Sequence, residues 1–301
     1  MRPGRQSLIY IAVILWGFVI MLGVVLAFFP YQKALNIVSQ NVLGSSRMII
    51  ALEGSRFGFI SAQASKVVVG HVAVEGRPLF EFRRVNARWY PFSLLKGKLA
   101  ILSRAVAYDG MVECSIDGIP LLSAGVPFMK IKFENVNLAK YPEGTLPWCK
   151  GMSGSMSGWI KEEAPMESRD KQKGSFRINM TAGEIKELQL KGLQNFVLAY
   201  KEVVIEGRIS GSKIYVDKIL VEGDGITLKG NGTLEQGGAE PRINLTLAYE
   251  NSSKTSPLSN GSVITVTGNQ WSPTVTISTE PAQQAEKVAA RDYKAQAGLT
   301  L

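Results

Sequence analysis

Residues 80–89 read FEFRRVNARW, and their spacing decides the fold class. Phe80 and Phe82, then Val85, Ala87 and Trp89, alternate with Glu81, Arg83 and Arg88. A side-chain period of two is that of a β-strand with one buried and one solvated face. The slip in frame between Phe82 and Val85 predicts a bulge inside this strand. The same alternation recurs at Ile131 and Phe133 among Lys130, Lys132 and Glu134. It returns at Phe176, Ile178 and Met180, and again at Ile243, Leu245 and Leu247. One-faced strands of this kind belong to antiparallel sheets, because parallel sheets are covered on both faces. Phe80, Phe82, Ile131, Phe133, Ile243, Leu245 and Leu247 are therefore predicted to share one apolar face.

Working outward, Asp109-Gly110, Asp117-Gly118, Asp224-Gly225 and Asn231-Gly232 stand between apolar runs as candidate tight turns. Thirty glycines suit many short strands joined by reversals. Helix-length patterns are almost missing after residue 48, which argues against a parallel sheet with crossover helices. The expected fold is mainly β: an elongated, mostly antiparallel, curved or sandwich-like body. Its divisions are a first sub-sheet over 48–160, a charged loop over 161–174 (KEEAPMESRDKQKG) and a second sub-sheet over 175–279. Residues 280–301, rich in Ala, Gln and Lys, form a tail.

The other strong feature lies at the start of the chain. Leu8 to Phe29 contains no charged residue. As a helix it would span about 33 Å, against about 30 Å of hydrocarbon. Arg2 and Arg5 precede it, so the positive-inside rule predicts a cytoplasmic N-terminus, a transmembrane anchor over 1–30 and a body on the far side. A cleaved signal peptide would end in small residues, whereas this span ends Ala27-Phe28-Phe29-Pro30. Leu35, Val38 and Val42, with Gly44 after them, predict a short helix over 31–47.

The net charge of +9 comes from scattered Lys and Arg rather than a basic patch interleaved with aromatics. That pattern points away from nucleic acid and toward anionic lipid. His71 is the only histidine and has no second His or Cys near it to share a metal. No catalytic, cofactor-binding or metal-binding set emerges, and no enzyme activity is expected. In residues 151–158 the midpoint between Gly154 and Gly158 is Met156, so the nucleophile-elbow spacing fails and a strand start is expected. Cys114 and Cys149 have two readings. In an oxidising compartment they would close a loop of about 36 residues, worth roughly 3–4 kcal/mol; otherwise they are separate thiols.

Several phrases carry a resemblance. Phe29-Pro30-Tyr31 ends the span, PFSLLKGKLAI runs over 91–101, and VVIEGRISGSKIYVDKILVEGDGITLKGNGTL runs over 203–234. In these the chain resembles the GspN proteins of type II secretion systems, from the anchor to about Ile277. The phrasing is also similar to that of AsmA-like envelope proteins, whose strands form a curved sheet with an apolar inner face. The resemblance implies a non-enzymatic protein of the bacterial inner membrane, its body in the periplasm, with other secretion-system subunits as partners. It carries over no catalytic residues, and residues 161–174 match nothing in the family pattern. Two roles follow: a scaffold acting through sheet edges and faces, or an apolar groove that binds lipid acyl chains. An open groove would favour lipid, and a closed, filled body would favour scaffolding.

Overall fold

The computed structural model describes residues 48–58, 60–71, 78–94, 98–120, 127–143, 145, 149–163, 172–190, 193–235, 242–251, 260–269 and 272–278. The expected anchor over 1–30, the helix over 31–47 and the tail over 280–301 lie outside the described residues. Among the described residues no helix is long and apolar enough to cross a membrane.

The chain is mainly β. Its first strands are β1 (Met48–Glu53), β2 (Arg56–Phe57), β3 (Ser61–His71), β4 (Pro78–Trp89) and β5 (Lys98–Ala107). Then come β6 (Gly110–Pro120), β7 (Phe128–Asn137), β8 (Cys149–Met152) and β9 (Ser155–Glu163). The last are β10 (Lys173–Leu190), β11 (Leu193–Ser210), β12 (Lys213–Glu222), β13 (Ile226–Glu235), β14 (Arg242–Asn251), β15 (Val263–Asn269) and β16 (Ser272–Ser278). All belong to one sheet, in which each strand lies beside the next in sequence; β2 and β8 are side branches on β3 and β10. Every pairing is antiparallel. Short reversals between alternating segments leave little choice but a meander.

The bulge expected in FEFRRVNARW is present. The ladder with β5 slips between Arg83 and Asn86, and Arg84 takes φ 51°. The extra residue keeps Val85, Ala87 and Trp89 on the face of Phe80 and Phe82. Asp109 also turns the chain, with a shift of one: Tyr108 and Asp109 (φ 48° and 65°) are the corner, and Ala107 faces Gly110. Gly225 (φ 74°) serves the reversal from β12 to β13.

Three expectations are corrected. Asn231-Gly232 is no turn but lies inside β13, where Gly232 faces Val216 on one side and Leu245 on the other. A Cβ on Gly232 would lie 2.2 Å from the Asn244 carbonyl oxygen and 2.6 Å from Leu245 Cδ2. Here the glycine answers crowding rather than turning. Asp117-Gly118 lies within β6 at another register slip, with Gly118 at φ 77°. Residues 161–174 do not divide two sub-sheets. Lys161, Glu162 and Glu163 belong to β9 and Lys173 and Gly174 to β10; these strands pair from Glu163–Lys173 onward, so one sheet continues through.

The sheet is open, yet its two halves differ. From β10 to β16 it rolls until β16 comes against β10 without pairing to it. Inside the roll Val203, Val216, Val221, Leu228, Ile264 and Val275 pack around Tyr249, which has no exposed surface. Burying this interior is what drives the roll, since no second sheet or helix among the described residues covers it. The outer face carries cross-strand ion pairs such as Arg208–Asp217 at 2.8 Å and Lys229–Glu250 at 3.0 Å. Exposed pairs of this sort contribute little to stability but keep the face wet.

Candidate apolar face

The ladder settles which side chains share a face. From β3 to β9, Val67 faces Phe82, Ala87 faces Ser103, Ala105 faces Val112, Val112 faces Phe133 and Ile131 faces Ile160. The same side continues through Phe176–Gly207, Ile205–Ile219, Leu228–Tyr249 and Leu247–Ile264. Phe80, Phe82, Ile131, Phe133, Ile243, Leu245 and Leu247 all lie on it.

The face is filled at one end and open at the other. Leu245 and Leu247 pack against the buried cluster, so they are packing residues of the roll rather than groove lining. Phe133 is buried, and its ring occupies the space that a Cβ on Gly158 would need. Toward β1 the cover thins: Phe82 and Ile131 are half-buried, while Phe80 is 42% exposed, Leu52 41% and Ile50 37%. Ile50 and Leu52 were not singled out in the sequence. Their alternation with Ala51 and Glu53 carries the pattern, in a run too short to stand out alone.

One end of the open half is closed by a strap. After β7 the chain makes a 3₁₀ turn, Leu138–Lys140, capped by Asn137, whose side chain accepts from the Ala139 N–H at 3.0 Å. The Asn137 N–H donates to the Tyr108 carbonyl at 2.9 Å, and the Leu138 N–H to the Gly154 carbonyl at 2.9 Å. Thr145, fully buried, donates its hydroxyl to the Pro78 carbonyl at 3.3 Å. Lys140 pairs with Asp109. This route lays Tyr141 edge-on against Tyr108 (5.5 Å) and Phe80 (6.3 Å), and Phe80 stacks with Phe82 at 6.3 Å. The Tyr108 hydroxyl accepts from the Glu81 N–H at 3.1 Å. It supplies the acceptor that β5 no longer offers beyond its pairing with Arg83. Burial raises the Tyr108 hydroxyl above its ordinary range and pushes Tyr141 up to about 12.

At the other end, Glu162 shares the apolar face with its ladder partners Met129 and Gly174. Gln172 donates to it, and burial raises its carboxyl above the usual carboxylate range. The open half of the face thus carries aromatic rings at one end and a carboxyl–amide pair at the other.

Cys114 and Cys149 are free thiols. Cys114 stands on β6 between Ser103 and Ile131, and Cys149 faces Leu188 across β8 and β10. Burial raises both, Cys149 to about 11, so neither is primed as a nucleophile. Residues 151–158 span the end of β8, a kink at Ser153 and Gly154, and the start of β9, the two strands running the same way along β10. His71 ends β3 opposite Met48. Among the described residues no three His, Cys, Asp or Glu side chains are grouped to hold a metal ion. No protein-family model, curated protein or solved structure matches this chain.

Proposed function

We propose that this protein is a non-enzymatic component of a type II secretion system, GspN-like, anchored in the bacterial inner membrane with its sheet in the periplasm. The observation that carries the reading is the fit between the family-like phrase over 203–234 and the sheet. That phrase runs from β11 to β13; Gly207, Gly223, Gly230 and Gly232 fall where a side chain has no room, and Gly211 and Gly225 take the positive φ of its turns. A Cβ on Gly207 would sit 2.2 Å from the Tyr215 carbonyl oxygen, and one on Gly230 would sit 2.1 Å from that of Thr246. The phrase is thus the signature of a tightly pleated, rolled sheet.

Such a sheet works by contact. The outer edges of β1 and β16 carry no further strand among the described residues, and an unpaired edge accepts an extended segment of another subunit. The test is deletion of the gene in its own host. Substrates of the secretion system then accumulate in the periplasm, and the full chain restores their release. Unchanged secretion in the deletion strain would end this reading.

A second reading, lipid acyl-chain binding, is favoured by the open half alone. Phe80, Ile50 and Leu52 stay exposed while the roll is full. Each buried methylene contributes about 0.8 kcal/mol before immobilisation costs. Photo-crosslinkers placed in cells at 80 and at 245 separate the two roles. Lipid adducts at 80 and none at 245 support the groove, and no lipid at either position removes it.

A further inference from the structure

Beyond the groove and the edges, the end of the sheet at the β4–β5 connection has its own chemistry. Trp89 leads into a single helical turn, Pro91–Leu94, before β5 begins. That turn is held from several sides. The Tyr90 N–H donates to the Ala100 carbonyl at 3.1 Å, and the Ser93 N–H to the Tyr90 carbonyl at 3.1 Å. The Ser93 hydroxyl donates to the Tyr90 carbonyl at 2.6 Å and accepts from the Ala100 N–H at 3.2 Å. Pro91 fixes φ at the first position. The turn nevertheless presents Phe92 at 80% exposure and Tyr90 at 51%. Ile60 joins them at 45%, brought alongside by the Trp89 N–H donating to the Ile60 carbonyl at 3.1 Å.

The segment that carries these side chains is basic, while the same end of the sheet also holds Asp117 of β6 and Glu163 of β9. Between Glu81 and Asp109 the sequence has Arg and Lys but no Asp or Glu. Arg56, Arg88 and Lys98 at this end are exposed, and none makes an ion pair with another described residue. An aromatic wedge rimmed by cations matches the headgroup region of an anionic bilayer, where Tyr and Phe sit at the boundary and Lys and Arg meet phosphate. A protein interface, by contrast, is depleted in Lys and its core in charge.

We propose that the Ile60–Tyr90–Phe92 tip docks into an anionic phospholipid surface, that of the membrane holding the N-terminal span. This rests on the anchored reading only for the choice of membrane. As the helix expected over 31–47, the chain holds Met48 within about 26 Å of the span, so the sheet can tilt its far end onto the bilayer. β3 separates the two ends of the sheet by roughly 36 Å. The tip is therefore within range of the bilayer to which the chain is tied, and tethering raises its local concentration there. Docking gives the sheet a second point of attachment and sets its orientation to the membrane.

The test uses the full chain reconstituted into phosphatidylcholine vesicles with or without phosphatidylglycerol, carrying an environment-sensitive fluorophore at position 60 or, as control, at 111. Met111 is 53% exposed at the opposite end of the sheet. With phosphatidylglycerol, brominated lipids of the same vesicle quench the probe at 60 and leave that at 111 unchanged. F92S lowers the docked-to-free ratio at least about tenfold, with an unchanged circular dichroism spectrum because the ring is exposed. R88Q with K98Q lowers it by about fivefold per residue. Absence of quenching at 60 overturns the proposal, as does equal quenching without phosphatidylglycerol. Quenching only by lipids of added vesicles overturns the choice of membrane, and protein rather than lipid adducts from a crosslinker at 92 in cells overturn the lipid partner. Alkaline extraction reports separately on the span, so a chain that washes off vesicles defeats the anchor and leaves the quenching result standing.

Discussion

The Tyr200 hydroxyl donates to the Ser153 carbonyl at 2.6 Å, tying the inside of β11 to the kink between β8 and β9, which run the same way along β10. This bond joins the rolled half of the sheet to the strap side of the open half. Two glycines make room for it: a Cβ on Gly183 would lie 2.5 Å from the Tyr200 hydroxyl oxygen, and one on Gly154 would lie 2.8 Å away. Y200F keeps the ring and removes the donor, leaving a part-buried carbonyl without it. The expected loss is about 1–3 kcal/mol, read as a lower urea midpoint of the purified full chain.

Tyr200, Tyr141 and Cys149 make stability fall in alkali. Burial pushes Tyr200 and Tyr141 from 10.0 to about 12 and Cys149 from 9.0 to about 11. The unfolded chain therefore releases these protons at lower pH than the folded one. Their stabilising contribution is complete below about pH 9, declines as pH rises and is gone above about pH 12. Urea midpoints measured across that range should fall steadily. Y200F combined with C149S should flatten the decline, and an unchanged slope would show that these groups are not the cause.

Phe133 and Phe80 share a face but not a surrounding, and truncation separates them. Phe133 is 9% exposed and Phe80 is 42% exposed. F133A should cost about 3–5 kcal/mol. F80A, in the open half, should cost less than half of that. Equal losses in urea unfolding would mean that the open half is as filled as the roll.

Glycines inside β13 should resist even one added carbon. G232A and G230A force backbone or leucine shifts, and each should cost about 1–3 kcal/mol. G261A is the contrast: no atom lies near its Cβ, but its φ of 83° carries the penalty for the left-handed region. Its cost should be about 1 kcal/mol. Thermal midpoints of the three variants give the order.

Alkaline phosphatase joined after Phe133 tests the proposed topology. The fusion should be active, and a cytoplasmic reporter at the same point silent. The reverse pattern would place the sheet in the cytoplasm.

Alternation alone was enough to identify the strands, because a pleated strand sends successive side chains to opposite sides. FEFRRVNARW carried both its apolar face and its bulge, since Arg83-Arg84 interrupts the frame where the backbone kinks. The open part of the candidate face was legible to the same degree, through Phe80, Phe82 and Ile131. Other features depended on partners distant in sequence. Ala182, at φ 47°, makes a second frame slip in β10 that no alternation announces; it passes the inner side from Met180 to Ile185. Gly232 has the look of a turn until Asn244 and Leu245 stand beside it, because a glycine is equally suited to positive φ and to close approach. The strap from Leu138 to Thr145 has no period, and only contacts with Tyr108 and Pro78 place it. Whether the apolar face would be filled or open was equally absent from the residues. Leu245 and Phe80 sit in indistinguishable alternating runs, and the roll that brings β16 against β10 packs one against the buried cluster while leaving the other at the surface.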